Sequence, residues 1–174
     1  MQQKAAKIKL LLLDVDGVLT NGQIVYDGQG NELKMFNVRD GHGLKMIQRA
    51  GIKVGIITGR KSEVVVRRAA ELGIEILYQG ALNKLEPYRE ILNQTGLNEE
   101  QIAYVGDDLI DLQVLRRVGF SATVADADAE VCRRVDYVSS LAGGCGAVRE
   151  ICDLLLKAGG HWEQVTARYF GDAQ

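Results

Sequence analysis

Two aspartates, Asp14 and Asp16, stand two positions apart at the end of the apolar run Leu10-Leu11-Leu12-Leu13. An apolar run of that length closed by turn-forming residues is the mark of a buried strand, and open α/β sheets keep their chemistry at the carboxyl ends of such strands. There the pair can divide labour. Asp14 can attack an electrophile such as a phosphoryl group, while Asp16, just outside, donates and later accepts a proton. Gly17 lets the backbone turn sharply out of the strand and approach an anion with no Cβ in the way. Aspartate and glycine are also common in plain polar turns. A calcium loop needs an oxygen ligand at its fifth position and a glutamate at its twelfth. Val18 and Val25 stand there, which removes that reading.

Three further groups could join this pair. The run Ile52 to Ile57 ends in Thr58-Gly59-Arg60, a hydroxyl, a free amide and a guanidinium that can bind phosphate oxygens beside the N-terminus of a helix starting near Ser62. By itself Thr-Gly is an ordinary strand-to-helix turn, so its weight comes from its position. Lys84 opens the helix after the run Ile74 to Leu77, where a cation opposes the helix dipole. Set between Asp14 and a phosphoryl dianion it would offset their repulsion; the alternative is a solvated lysine such as Lys61 or Lys157. The run Ile102 to Val105 ends in Gly106-Asp107-Asp108-Leu109-Ile110-Asp111, an acid cluster that is costly without a cation. With Asp14 and the main-chain carbonyl of Asp16, Asp107 would complete an oxygen-only site suited to Mg²⁺. Asp108 and Asp111 would stand behind it, and Asp108 is also a natural helix cap.

The elements that must position these groups are legible as alternation. Strand-like runs at Ile8 to Leu13, Ile52 to Ile57, Ile74 to Leu77, Ile102 to Val105 and Ser121 to Val124 are separated by helix-period segments at 41–50, 62–72, 83–95, 108–117 and 146–158. Asp40, Ser62 and Asn83 are the candidates at or near helix N-termini. The pattern predicts an α/β fold, a Rossmann-like three-layer sandwich around a central parallel sheet. One insertion breaks it: residues 23–36 read as a β-hairpin around Asp27-Gly28-Gln29-Gly30-Asn31. The hairpin is too small to be a lid, so the reading leaves the site open in a monomer. Its Ile24, Val25, Met35 and Phe36 then require a neighbouring subunit.

Composition narrows the class. A chain of 174 residues that is 47% apolar, with no linker-like stretch, predicts one domain spanning 1–174. A net charge of −2 and the lack of a basic, aromatic-interleaved stretch argue against nucleic acid as partner. Cys132, Cys145 and Cys152, with two histidines for company, support neither a disulfide framework nor a zinc site. The apolar run after Lys9 is too short to span a membrane and no cleavage signal follows it. The expectation is a cytoplasmic protein acting on a small molecule.

The segments Asp14-Val15-Asp16-Gly17-Val18-Leu19-Thr20, Thr58, Lys84 and Gly106-Asp107-Asp108-x-x-Asp111 resemble, in order and type, the motifs of the haloacid dehalogenase superfamily over about residues 8 to 125. Nearly the whole chain is similar to its small capless phosphatases that act on 3-deoxy-D-manno-octulosonate 8-phosphate. The similarity lies in Asp14 to Gly22, Asn37-Val38-Arg39-Asp40-Gly41, Ile57 to Lys61, Leu77-Tyr78-Gln79-Gly80 and Ala142 to Glu150. The resemblance implies Mg²⁺-dependent hydrolysis of a sugar-acid phosphate, in the formation of lipopolysaccharide precursors. Asp14 is then the nucleophile, Asp16 the acid and base, and Thr58, Gly59 and Lys84 the phosphate ligands. It implies a homotetramer in which a neighbour's hairpin covers each site, contacts of Arg60 and Arg68 with the sugar acid or its phosphate, and a C-terminal tail, 160–174, that reaches an adjoining site. Arg60 and Arg68 are about two helical turns apart. Relatives acting on nine-carbon sialic-type sugar phosphates carry glutamate where Arg60 stands, so the arginine points to the octulosonate. A receiver-like or silent phosphate-binding module is the competing class. A receiver places its phosphorylated aspartate after the third strand, where this chain has Leu77-Tyr78-Gln79.

Overall fold

The computed structural model describes residues 1–171. Six parallel strands form the central sheet: β1 (Leu10–Leu13), β4 (Lys53–Ile57), β5 (Ile76–Tyr78), β6 (Ile102–Val105), β7 (Phe120–Thr123) and β8 (Tyr137–Val138). Their order is β5-β4-β1-β6-β7-β8. β1 is therefore flanked by β4 on one side and β6 on the other, with Leu13 opposite both Ile56 and Val105. The order reverses between β1 and β6, and a crevice opens beyond the carboxyl ends of strands at such a point.

The leucine run serves both faces of the sheet. Leu11 and Leu13 join one core cluster, under α2 (Val38–Arg49), α3 (Glu63–Leu72) and α7 (Ala147–Ala158), while Leu10 and Leu12 join the other, under α4 (Leu85–Thr95) and α5 (Leu112–Leu115). All four are fully buried. Side chains alternate across a strand, so a sheet covered on both sides demands an apolar residue at every position. Short elements α1 (Gln2–Ala5), α6 (Ala129–Cys132), β8 and α8 (Trp162–Thr166) were not anticipated; each has five residues or fewer, too few to show a period. Among the described residues, no helix is long and apolar enough to cross a membrane. The tail expected at 160–174 is described only as far as Gly171, and its last residues lie outside the described part.

Local chemistry shifts several expected boundaries. Asn37, not Asp40, caps α2, because Asn37 holds the extended backbone of a cap and its side chain accepts from Arg39 N. Asp40 sits in the first turn, buried, and its carboxylate accepts from Arg149 N at 2.8 Å, joining α2 to the start of α7. Ser62 occupies the cap of α3 without capping it. Asn83 Oδ1 accepts from Leu85 N at the start of α4. The helix expected at 108–117 is a 3₁₀ turn, Leu109–Asp111, leading into the short α5. Asp111 folds back onto the backbone amides of Asp107 and Asp108 instead of extending the helix.

The hairpin is present, with β2 (Val25–Tyr26) antiparallel to β3 (Glu32–Leu33). Its orientation differs from the expectation. Glu32, Lys34 and Phe36 turn toward the body of their own chain, while Leu33 and Met35 turn out, Met35 being 80% exposed. Phe36 packs on its own core and is removed from the set that needs a neighbour.

Candidate active site

Asp14, Asp16, Thr58, Gly59, Arg60, Lys84, Asp107 and Asp108 line one crevice over the ends of β1, β4 and β6, together with Ile110. Four chain segments that lie far apart in sequence supply them, each from a strand end or the turn after it. Gly17 lets two of these segments meet. Its φ is +94°, and a Cβ there would lie 2.0 Å from Asp107 Oδ2, so only glycine lets the two loops meet. Gly143 has the same role from above: a Cβ on it would lie 1.8 Å from the carbonyl oxygen of Gly17. The 143–144 turn is held by the bond from Gly144 N to Val18 O and by Asn37 Nδ2 donating to Gly144 O.

Lys84 is buried and its ammonium has three partners: Asp14 Oδ2 at 3.0 Å, Asp111 Oδ1 at 2.6 Å and Tyr104 Oη at 3.2 Å. Burial alone would pull its pKa down, but the charges of Asp14 and Asp111 win and raise it, so it stays a cation. Asp111 uses all of its acceptor directions inward. Oδ1 takes Lys84 and the Tyr104 hydroxyl, and Oδ2 takes the amides of Asp107 and Asp108. That saturation makes it a support for the site, with no oxygen left for a ligand.

The other two acids differ. Asp14 Oδ1 and Asp107 Oδ1 are buried with no hydrogen-bond partner. One oxygen from each of Asp14, Asp107 and Asp111 falls within 4.8 Å of the others, so the charge of the saturated Asp111 adds to that of the two acids with free oxygens. Burial raises Asp14 to about 6, with Lys84 pulling it down and Asp111 pushing it up, and burial followed by the charges of Asp14 and Asp111 raises Asp107 to about 7. Two orphaned buried carboxylate oxygens beside one lysine suit a hard divalent cation with oxygen ligands, such as Mg²⁺. Both folded-state pKa values lie above the ordinary 3.8. The two groups therefore favour the folded state below about pH 4, and that contribution is lost as the pH rises through about 6 and 7. Melting curves in chelator are expected to show stability falling across that window. Mg²⁺ at a hundred times its dissociation constant should add about 2.7 kcal/mol at the high-pH end. An identical pH slope with and without Mg²⁺ would contradict the cation site.

Lys84→Met is expected to cost about 3–5 kcal/mol in denaturant unfolding, because it leaves Asp14 and Asp111 buried without their cation. A loss below about 1 kcal/mol would show that the lysine does not hold the cluster together.

Asp16 stands at the rim and is held from two sides. Lys34 Nζ bonds to its Oδ1, and Arg60 Nε lies 3.8 Å from its Oδ2. Lys34, whose side chain is 1% exposed, was not singled out in the sequence, nor were Glu32 and Tyr104. A signal for the first two existed: the period-2 alternation through Glu32, Lys34 and Phe36 places them on one face of β3 and the residues that follow it.

Arg68 is not in the crevice. Its guanidinium lies over the Phe36 ring, 5.6 Å from the centroid, and pairs with Glu71, beside a small hollow lined by Val15, Asp40 and Leu72. The two-turn spacing from Arg60 fails because α3 begins only at Glu63, after the extended Ser62, so the two arginines share no helix. Arg67 is solvent-exposed and pairs with Glu71.

A carboxylate pair, a buried lysine and an oxygen-donor pocket at the switch point of a parallel sheet define a phosphate- and cation-binding type of site on a Rossmann-like fold. Residues 37–119 match the haloacid dehalogenase-like hydrolase family. Over 161 residues the chain is 52% identical to 3-deoxy-D-manno-octulosonate 8-phosphate phosphatase KdsC of Escherichia coli K12, covering 92% of this chain and 86% of that protein. It is similar to the crystal structure of the Yersinia pestis phosphatase of the same name, with a TM-score of 0.92, 49% identity, and 93% and 88% of the two chains covered. It is similar also to the Moraxella catarrhalis phosphatase in complex with magnesium ion, phosphate ion and a KDO molecule, with a TM-score of 0.94, 43% identity and 97% of each chain covered. The chain belongs to the 3-deoxy-D-manno-octulosonate 8-phosphate phosphatase family of the haloacid dehalogenase-like hydrolases.

Proposed function

We propose that this protein is a Mg²⁺-dependent phosphomonoesterase. It hydrolyses 3-deoxy-D-manno-octulosonate 8-phosphate to the free sugar acid and phosphate, within lipopolysaccharide precursor formation in the cytoplasm. The observation that carries the reading is the pair of partnerless buried oxygens, Asp14 Oδ1 and Asp107 Oδ1, beside a lysine fixed by Asp14 and Asp111.

Asp14 attacks the phosphorus in line, forming an aspartyl phosphate and expelling the sugar oxygen, to which Asp16 gives a proton. Asp16 then takes a proton from the water that attacks the aspartyl phosphate, which frees phosphate and restores Asp14. Thr58, the amide of Gly59 and Lys84 hold the phosphoryl oxygens, and Lys84 balances the charge that builds on them. Arg60 takes the sugar-acid carboxylate as a planar two-donor fork. Asp14, Asp107 and the main-chain carbonyl of Asp16 would hold the Mg²⁺, with Asp108 and Asp111 supporting them. When bound, the ion neutralises the carboxylates and draws charge from the phosphoryl group.

Phosphate release from a panel of sugar-acid phosphates, with and without Mg²⁺, tests the assignment. The eight-carbon 3-deoxy acid phosphate should be preferred over nine-carbon sialic-type phosphates and over simple phosphoesters. Preference for a nine-carbon acid would shift the substrate and keep the reaction.

The outward face of the hairpin, with Ile24, Val25, Leu33 and Met35 exposed, supports assembly into a homotetramer in which this face meets a neighbour. Met35→Glu is expected to reduce the assembly measured by light scattering; an unchanged tetramer would remove the hairpin from the interface.

A further inference from the structure

The hairpin is tied to the crevice by charge. Its strands are two residues each, and its apolar residues Ile24, Val25, Leu33 and Met35 face outward. Apart from Phe36, the inward contacts are polar. Glu32 Oε1 accepts from Arg60 Nη2 at 3.0 Å, Tyr26 Oη lies 3.4 Å from the same nitrogen, Glu32 Oε2 accepts from the Ser62 hydroxyl, and Lys34 reaches Asp16.

Arg60 therefore already holds a carboxylate. One edge of its guanidinium is taken by the hairpin, while Nε is buried without a hydrogen-bond partner and faces Asp16 at 3.8 Å. A sugar acid brings the same chemical group to the same nitrogen atoms. Glu32 can yield without being stranded, since Ser62 remains its partner and Lys34 Nζ stands 3.5 Å from its Oε1. We propose that Glu32 is a placeholder for the substrate carboxylate: it occupies Arg60 in the free enzyme, and a sugar-acid ligand binds by taking its place. This deepens the reading above and rests on Arg60 as the carboxylate's partner. It makes Glu32 a specificity-setting residue. A ligand lacking a carboxylate leaves the Glu32–Arg60 pair intact, and only a sugar acid recovers on binding what it costs to open that pair.

Steady-state kinetics at saturating Mg²⁺ test it, with 3-deoxy-D-manno-octulosonate 8-phosphate compared with p-nitrophenyl phosphate. Glu32→Gln keeps the shape and removes the competing charge. It should lower KM for the sugar-acid phosphate about two- to fivefold, the range an ion pair at a rim is worth, with kcat and the KM of p-nitrophenyl phosphate unmoved. Ser62→Ala removes the partner that Glu32 keeps when it gives up Arg60, and takes no capping bond from α3; it should raise the same KM and leave that of p-nitrophenyl phosphate unmoved. A raised or unchanged KM in Glu32→Gln, or an equal fall for both substrates, overturns the proposal. Arg60→Ala separates the two layers. If it raises KM for the sugar acid alone, the carboxylate reading of Arg60 stands whatever Glu32 does. If it affects both substrates equally, that reading falls and takes the placeholder with it.

Discussion

Asp14→Asn is expected to abolish turnover, lowering phosphate release by about four orders of magnitude or more, the scale on which removal of an attacking group acts. The amide has the volume of the carboxylate but no nucleophilic oxygen, so no aspartyl phosphate forms and the two-step route is closed at its first step. The fold should persist. Asp14 lies at the end of a strand whose leucines are fully buried on both faces, and Lys84 keeps Asp111 and Tyr104 as partners when the Asp14 charge is removed. Burial already works against that charge, raising Asp14 to about 6, so neutralising it does not undo the core. The decisive measurement is phosphate release beside a melting curve, with mass spectrometry for a phosphorylated chain. Near-normal release by a folded Asp14→Asn protein would sink the covalent mechanism.

The second large effect concerns the cation. Chelation should remove activity and Mg²⁺ should restore it. Ca²⁺ should restore little, because its larger and looser coordination would not hold the phosphoryl group in line with Asp14. Asp107→Asn removes one of the two orphaned oxygens as a charged ligand. The Mg²⁺ concentration giving half-maximal rate should rise by at least about 10- to 100-fold, the cost of losing even an outer partner of a metal ligand. The change is local, since Asp111 and not Asp107 carries the bonds to Lys84 and Tyr104. Full activity in exhaustively chelated protein would refute the Mg²⁺ assignment.

The carboxylates that line the crevice were legible in the chain because their positions are local facts. Asp14 and Asp16 end an apolar run, Thr58 ends the next, and Asp107 follows the fourth; a parallel sheet brings every such end to one edge without any knowledge of side-chain packing. Arg68 and Phe36 lie elsewhere than expected for one common reason. Both depended on where a helix or strand begins and which way it faces, and those are settled by contacts with distant residues. The Arg68 spacing presumed a helix through Ser62, whose hydroxyl is instead engaged by Glu32. Phe36 was expected to need a neighbouring subunit, yet it packs on the core of its own chain.

The sequence by itself determined the layered α/β plan, the order of the central strands along the chain and the placing of the acids and the lysine at strand ends. Alternating apolar periods and glycine-marked turns dictate these over a few residues at a time. Only the tertiary structure decided how the acids share their work. Asp111 is consumed by Lys84, Tyr104 and two amides, while Asp14 and Asp107 keep free oxygens, because segments separated by tens of residues close on one another at the strand ends, with Gly17 against Asp107. It likewise decided that Glu32 and Lys34 belong to the crevice. A two-residue strand has no face of its own until it meets the surface it lies on, and here that surface carries Asp16, Arg60 and Ser62.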